Sequence, residues 1–185
     1  MGNFSNIERQ AEEILRKILP LDDPEKAKVI MRAIRATGDL DLIGTLRFSQ
    51  NAISLGKRLV KGGVIVDTKM ARTGLGDLAI YREPKTRRNN YYSIDLIEEM
   101  GKEMDGKVVM IGTSPLALLT LNEMIKREEV KPAVVIGVPV GFVNALKAKI
   151  ELTKLPVEFI TNISVKGGVA LGISLVKALV ELGEL

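Results

Sequence analysis

Four short stretches of the chain are apolar at consecutive positions, without the alternation that a half-exposed strand shows. A strand in a parallel sheet has this pattern when helices cover both of its faces. Longer segments with apolar residues at helical spacing separate the stretches, so strands and helices alternate along this part of the chain. The predicted strands are residues 64–67, 108–111, 133–138 and 159–161.

The first third of the chain has helical periodicity instead. Ser5 and Glu8 have the spacing of a capping box that opens a first helix, which Pro20 ends. A second helix begins after Asp23 and ends at Gly38, and a third begins after Ser49 and ends at residues 62–63. We therefore predict one α/β domain over residues 1–185. It has a helical segment over 1–62 and, over 63–185, a doubly wound, mainly parallel sheet with helices on both faces.

The ends of the predicted strands carry small and hydroxyl residues. Pro139 cannot donate to a sheet, and Gly141 allows a sharp turn before a helical pattern that resumes at Phe142. Thr113 and Ser114 follow another strand, and residues 167–168 are a glycine pair before the last helix. Open α/β sheets bind ligands at this edge, where helix starts offer N–H groups to anions.

The composition excludes several kinds of chemistry. The 185 residues include no Cys and no His, which rules out disulfides, thiolate metal sites, cysteine nucleophiles, Ser-His-Asp triads and histidine-ligated zinc. The net charge of +4 suits an anionic small molecule, whereas an aromatic content of 4% gives little support to nucleic-acid binding. There is no long apolar run or basic leader, so we expect a cytoplasmic protein without a membrane segment.

Two further features have open interpretations. Residues 72–92 break the alternation and contain a basic cluster near three tyrosines, which is compatible with a solvated mobile loop or with a loop that grips anionic groups. Asp39 and Asp41 form an Asp-x-Asp pair without a third ligand, so we predict no metal site. Dinucleotide-binding, P-loop and nucleophile-elbow motifs are absent. From the residues alone we predict an α/β protein that binds a polyanionic small molecule.

Several blocks of the chain resemble, in order and spacing, the precorrin-8X and cobalt-precorrin-8 methylmutases. The resemblance extends over nearly the whole chain, and the Pro-Val-Gly-Phe-Val element is its most specific part. The blocks are Ile7-Glu8, Arg32-Ala33-Ile34-Arg35-Ala36-Thr37-Gly38-Asp39, Phe48-Ser49 with Ala52, Asp67-Thr68-Lys69-Met70 with Gly74, Gly112-Thr113-Ser114-Pro115 with Ala117-Leu118, and Gly137-Val138-Pro139-Val140-Gly141-Phe142-Val143.

The resemblance implies an α/β homodimer of cobalamin biosynthesis that binds a tetrapyrrole and moves a methyl group from carbon 11 to carbon 12. It implies no cofactor, because the shift is intramolecular. Arg35 stands at the catalytic position, as a polariser of the macrocycle, and Arg87 is a carboxylate clamp. The other expected substrate-binding residues are Thr37, Asp67, Lys69, Thr113, Ser114, Gly141 and Lys166.

The chain also departs from the family pattern. Arg35 occupies the place of a catalytic His, and Arg cannot donate and retrieve a proton. Gln10-Ala11 replaces an Arg-Ser pair, and residues 162–169 replace an Arg-rich segment. The sequence therefore leaves three hypotheses: a working methylmutase, a non-catalytic corrinoid-binding relative, and an α/β protein that binds a phosphate ligand.

Overall fold

The computed structural model describes residues 2–19 and 22–184. Short 3-10 turns join some of the elements. In chain order the helices and strands are α1 (Gly2–Ile18), α2 (Pro24–Thr37), α3 (Leu42–Thr45), β1 (Leu46–Phe48), α4 (Ala52–Leu59), β2 (Val64–Val66), α5 (Lys69–Leu75), β3 (Ala79–Ile80), α6 (Tyr92–Met100), β4 (Val108–Ile111), α7 (Pro115–Lys126), β5 (Val134–Gly137), α8 (Ala145–Leu152), β6 (Glu158–Asn162) and α9 (Val169–Leu182).

The strands form one sheet in the order β1-β6-β5-β4-β2-β3. All neighbours are parallel except β1, which runs antiparallel to β6 with Leu46 opposite Asn162. The chain passes from β2 outward to β3 and then returns to the other side of β2 as β4. The strand order therefore reverses between β2 and β4, which makes the carboxyl ends of these two strands the topological switch point.

Helices cover both faces of the sheet. Alternate residues of β4 lie in two different hydrophobic clusters: Val108 and Met110 pack in the first, which includes residues of α2, α4, α5 and α9. Val109 and Ile111 pack in the second, with residues of α6, α7 and α8. This two-sided burial is the reason that the strands are apolar at every position, and it confirms the doubly wound, mainly parallel α/β fold.

The predicted start and end of the second helix are confirmed. The Asp23 side chain accepts hydrogen bonds from the backbone N–H groups of Glu25 and Lys26, and Gly38 closes the helix with a φ of +69°. This positive φ favours glycine, because a Cβ atom is strained in the left-handed region.

Three other predicted caps or helix starts are wrong. Ser49 does not cap α4, because its hydroxyl contacts Glu158 and accepts from the N–H of Phe159 at 2.7 Å. The helix after β5 begins at Ala145 and not at Phe142, since Asn144 adopts a left-handed conformation before it. The first helix already contains Ser5, whose side chain lies outside the described part of the structure, as does Pro20.

The N-terminal segment is not entirely helical. The strand β1 lies within residues 1–62 and adds an antiparallel edge to the sheet. Residues 72–92 also contain structure that the sequence did not indicate, because β3 pairs with β2 there. Within residues 2–19 and 22–184 no helix has both the length and the apolar character needed to cross a membrane.

Candidate functional site

An open cleft of about 560 Å³ lies at the switch point between β2 and β4. Asp67 follows β2 and enters the cleft from one side, and Thr113 and Ser114 follow β4 on the other side. One carboxylate oxygen of Asp67, Oδ2, accepts from the N–H of Thr113 at 2.9 Å and from that of Ser114 at 3.4 Å. This carboxylate therefore joins the carboxyl ends of the two strands.

Asp67 is a buried carboxyl group whose second oxygen, Oδ1, has no hydrogen-bond partner within the described residues. Burial raises the pKa of Asp67 above its ordinary value, and the backbone N–H groups of the turn after β4 act against this rise. Desolvation is the largest of these effects, so the neutral acid is favoured more strongly than for an exposed aspartate.

Aromatic and hydroxyl side chains form one wall of the cleft. The hydroxyl groups of Tyr81 and Tyr92 lie 2.7 Å apart, and burial is the main cause that raises the pKa of Tyr81. The hydroxyl of Ser114 lies 2.8 Å from that of Ser93, and it also caps α7 by accepting from the N–H of Ala117 at 3.2 Å. These hydrogen bonds fix the wall before any ligand binds.

Basic side chains stand at the mouth of the same cleft. The guanidinium of Arg87 lies 5.2 Å from the centre of the Tyr92 ring, a cation–π distance. Lys69 forms an ion pair with Glu83, which raises the pKa of Lys69 and lowers that of Glu83. An anionic ligand would meet Arg87 and, on displacing Glu83, the ammonium group of Lys69.

Carboxylates of α6 hold the loop that carries Arg87. Glu99 accepts from the N–H of Lys85 at 2.7 Å and from the N–H and the hydroxyl of Thr86 at 2.8 and 2.6 Å. These hydrogen bonds lower the pKa of Glu99 to about 2, so it stays ionised at neutral pH. Buried Asp95 accepts from the N–H of Asn89 at 3.1 Å. The loop is thus anchored on both sides of Arg87.

Arg35 lies elsewhere in the subunit. Its Nη2 donates to Glu8 at 2.7 Å, in a groove of about 460 Å³ between α1, α2 and α9 that Lys177 also lines. Arg35 does not line the switch-point cleft, whereas five of the other predicted site residues do. Those five are Asp67, Lys69, Arg87, Thr113 and Ser114.

Thr37 and Lys166 lie together in a third place. They line a small pocket of about 340 Å³ near the start of α9. The Nζ of Lys166 lies 2.9 Å from Asp39 and also pairs with Asp41, and these contacts raise the pKa of Lys166. The Asp-x-Asp pair therefore holds a lysine, and the described residues contain no cluster of three or more potential metal ligands.

Backbone groups that the sequence suggested as donors are largely used within the protein. The N–H of Gly141 donates to the carbonyl of Val165 at 2.9 Å, so the prediction that it faces a ligand as a bare donor is wrong. The N–H groups of Thr113 and Ser114 donate to Asp67 in the same way. The backbone N–H groups of Gly141, Thr113 and Ser114 are therefore occupied within the protein.

The sequence model of the family "CbiC: Precorrin-8X methylmutase" matches residues 6–182. The chain belongs to this family. A cobalt-precorrin-8 methylmutase of Priestia megaterium is 34% identical, with 86% of this chain and 79% of that protein covered. The protein CbiHC of Archaeoglobus fulgidus is 32% identical over 95% of this chain and 39% of its own length. The crystal structure of the precorrin-8X methylmutase from Thermus thermophilus superposes with a TM-score of 0.86 at 28% identity, over 97% of this chain and 96% of that one.

This member of the methylmutase family also has a buried lysine that the sequence reasoning missed. Lys149 is fully buried in α8 and donates to Asn162 Oδ1 at 3.2 Å and to the carbonyl of Lys166 at 2.8 Å. Burial lowers its pKa to about 8. The signal was present, since Lys149 shares one helical stripe with the apolar residues Ala145 and Leu152. Tyr81 and Tyr92 belong to the tyrosines near the basic cluster of residues 72–92, whereas the contribution of Ser93 to the cleft has no signal in the sequence.

Proposed function

We propose that this protein is an isomerase of cobalamin biosynthesis that moves a methyl group from carbon 11 to carbon 12 of precorrin-8X or cobalt-precorrin-8. The observation that carries this proposal is the family match along residues 6–182, within a fold that keeps an open cleft at its switch point. Relatives named cobalt-precorrin-8 methylmutase support the same reaction.

The chemistry of the cleft supports a polycarboxylate macrocycle as the ligand. Arg87 and Lys69 offer positive charge, and the hydroxyl groups of the tyrosine wall offer hydrogen bonds. Guanidinium groups bind carboxylates in a bidentate manner, which fixes orientation as well as charge. Because the shift is intramolecular, holding the macrocycle in a reactive geometry supplies a large part of the acceleration.

Arg35 lies outside the switch-point cleft, and we assign it the role of contacting and polarising a different part of the macrocycle. Its charge is permanent, so it stabilises developing negative charge or a ring carboxylate without moving a proton. Its present partner is the exposed carboxylate of Glu8, which a ligand carboxylate can replace. Thr37 and Lys166 line the small pocket near the start of α9, and we assign them to binding of the ligand's side chains.

We further propose that the protein is a homodimer that works in the cytoplasm. Three apolar side chains of the segment after β5 are exposed: Val140, Phe142 and Val143 have 48%, 93% and 77% of their surfaces open to solvent. Exposed apolar residues in one short segment are typical of an interface. Light scattering should give twice the chain mass, and Phe142→Asp should reduce it to the mass of one chain.

The test of the reaction is incubation of the purified protein with precorrin-8X and with cobalt-precorrin-8 while the visible spectrum is recorded. A product spectrum that develops with turnover supports the isomerase. A binding shift without further change indicates a corrinoid-binding relative, and protection from melting by phosphates alone indicates a phosphate ligand.

Two variants connect the test to the assigned residues. Arg87→Ala and Arg35→Ala should each weaken tetrapyrrole binding at least about tenfold, because each removes a charge-assisted hydrogen bond. Arg127→Ala, a change at an exposed arginine after α7, is the control and should leave affinity unchanged. Unchanged affinity in the Arg35 variant would remove that residue from the site.

A further inference from the structure

The cleft needs a group that can both give and take a proton near neutral pH, and the chain has no His or Cys to serve. Among the titratable residues that line the cleft, ion pairing raises the pKa of Lys69 and lowers that of Glu83, which moves both away from neutrality. Burial raises the pKa of Tyr81, which also moves it away from neutrality. Arg87 does not titrate in a protein. One lining residue of the described structure, Asp67, shifts toward neutrality.

We propose that Asp67 is the general acid of the methyl shift, holding a proton that it lends to a nitrogen of the bound tetrapyrrole. This inference rests on the proposed function and goes beyond it, because it assigns the proton transfer to a residue that neither the family match nor the position of Arg35 indicates.

The two carboxyl oxygens of Asp67 have different surroundings and different proposed roles. Oδ2 is held by the N–H groups of Thr113 and Ser114, which fixes the orientation of the group. Oδ1 is buried and has no partner within the described residues, although a buried polar atom without a hydrogen bond is costly. A proton on Oδ1 removes the cost of a buried charge, and the lone pair of a ring nitrogen would complete its hydrogen bonding.

Charged neighbours do not force Asp67 to ionise in the ligand-free protein. Lys69 is the nearest cation in sequence, and its ammonium group is paired with Glu83. Arg87 lies against the Tyr92 ring on the opposite wall. Tyr81 and Tyr92 hydrogen-bond to each other, and burial raises the pKa of Tyr81. The surroundings of Asp67 are therefore those of a protonated acid and not of one half of an ion pair.

The proposed step is balanced without a co-reactant. With metal-free precorrin-8X as the substrate, the proton leaves Oδ1 for a ring nitrogen, whose lone pair forms the new N–H bond. Asp67 becomes a carboxylate that the two backbone N–H groups stabilise. The methyl group moves with its bonding electron pair from carbon 11 to carbon 12. The nitrogen then returns the proton to Asp67, so that the enzyme is regenerated and the isomer carries the same atoms.

The alternative interpretation is that Asp67 has a purely structural role and only holds the turn after β4. Asp67→Asn separates the two interpretations, because the amide oxygen can still accept from Thr113 and Ser114 while the side chain no longer carries a transferable proton. Asp105→Asn is a matched control: Asp105 accepts from the N–H of Lys131 at 2.6 Å, is exposed, and precedes β4 at the opposite edge of the sheet.

The experiment has two readouts on the full-length protein. Carbon-13 NMR of the aspartate carboxyl groups should show one resonance, missing in Asp67→Asn, that titrates above the ordinary value of about 3.9. With precorrin-8X, whose ring nitrogens carry no metal, kcat should fall as pH rises through that same pKa. Asp67→Asn should lower kcat about 10²–10⁴-fold, without the wild-type pH dependence and with nearly unchanged tetrapyrrole affinity. Asp105→Asn should behave as wild type.

Each failure has a distinct signature. An Asp67 resonance that titrates at or below the ordinary aspartate pKa overturns the proposed role of Asp67 as general acid. An Asp67→Asn variant that keeps kcat within a few-fold of wild type overturns it as well. Absence of turnover by the wild-type protein itself overturns the proposed function, and the role of Asp67 with it. A variant with lost affinity and a lowered melting temperature shows that the side chain only holds the turn.

Discussion

The fully buried ammonium group of Lys149 should make the stability of this protein depend on pH in the alkaline range. Its partners are neutral, the amide oxygen of Asn162 and the carbonyl of Lys166, so no carboxylate of the described residues balances its charge. Replacement by Met keeps an unbranched apolar side chain of similar length and removes the titrating group. The comparison of wild type with Lys149→Met therefore isolates the effect of the buried charge.

The size of the effect follows from the pKa of Lys149. In the unfolded chain it has its ordinary value of 10.5, and in the folded protein burial lowers it to about 8. Between these two pH values the unfolded state binds more protons, so the free energy of unfolding rises with pH across the window. At about 1.4 kcal/mol for each pH unit of difference, the gain is about 3 kcal/mol.

Urea unfolding of both proteins at a series of pH values between about 7 and 10.5 measures this gain. The stability of wild type relative to Lys149→Met should increase by about 3 kcal/mol over that range. The loss of the donor to Asn162 adds an offset that does not change with pH. Lys147→Met, on the exposed side of the same helix, should show no such trend. A constant difference between wild type and Lys149→Met would refute the reasoning.

Three further outcomes are expected. Gly167 has a φ of +152°, and a Cβ there would lie 2.3 Å from a backbone oxygen, so Gly167→Ala should cost about 3 kcal/mol in denaturant unfolding. Gly106→Ala, at a φ of +68° with open space around it, should cost only about 1 kcal/mol, and equal losses would contradict the steric argument. Glu99→Gln should speed hydrogen exchange at residues 85–86 at neutral pH. In wild type this protection should be lost only as pH falls from the ordinary glutamate pKa of 4.5 toward the lowered pKa of about 2. Unchanged exchange in the variant would show that Glu99 does not anchor the loop. The stability that Asp67 contributes as a neutral acid is present below its ordinary pKa and lost as pH rises through its raised folded-state pKa. Asp67→Asn should therefore gain stability relative to wild type as pH rises across that window, and parallel melting curves would count against a raised pKa.

The central strands could be predicted from the sequence because both of their faces are buried, which leaves an uninterrupted apolar run such as residues 108–111. The end strands could not. β3 has two residues and β1 has three, too few for a periodic pattern, and β1 pairs with a strand more than one hundred residues later in the chain. The turn at 141–144 could not be predicted, since the left-handed Asn144 that delays the helix has no signature beyond its residue type.

For the candidate site, the strand-end rule indicated Asp67, Thr113 and Ser114, because their positions depend on the order of elements alone. The wall of the cleft depends instead on how α6 packs, and no pattern in the sequence places Tyr92 beside Tyr81. Arg35 was assigned by resemblance, and its contact with Glu8 depends on the packing of α1 against α2.

The antiparallel pairing of β1 with β6 also has a consequence for the order in which the chain can fold. β1 is the first strand to be synthesised, yet its partner is the last, and α2 likewise packs against α9. During translation the N-terminal segment therefore emerges with its apolar surfaces uncovered, and these surfaces stay exposed until β6 and α9 have been synthesised. Pairings of such long sequence separation slow folding, so completion of the native sheet should be a late event that follows release of the C-terminal helix.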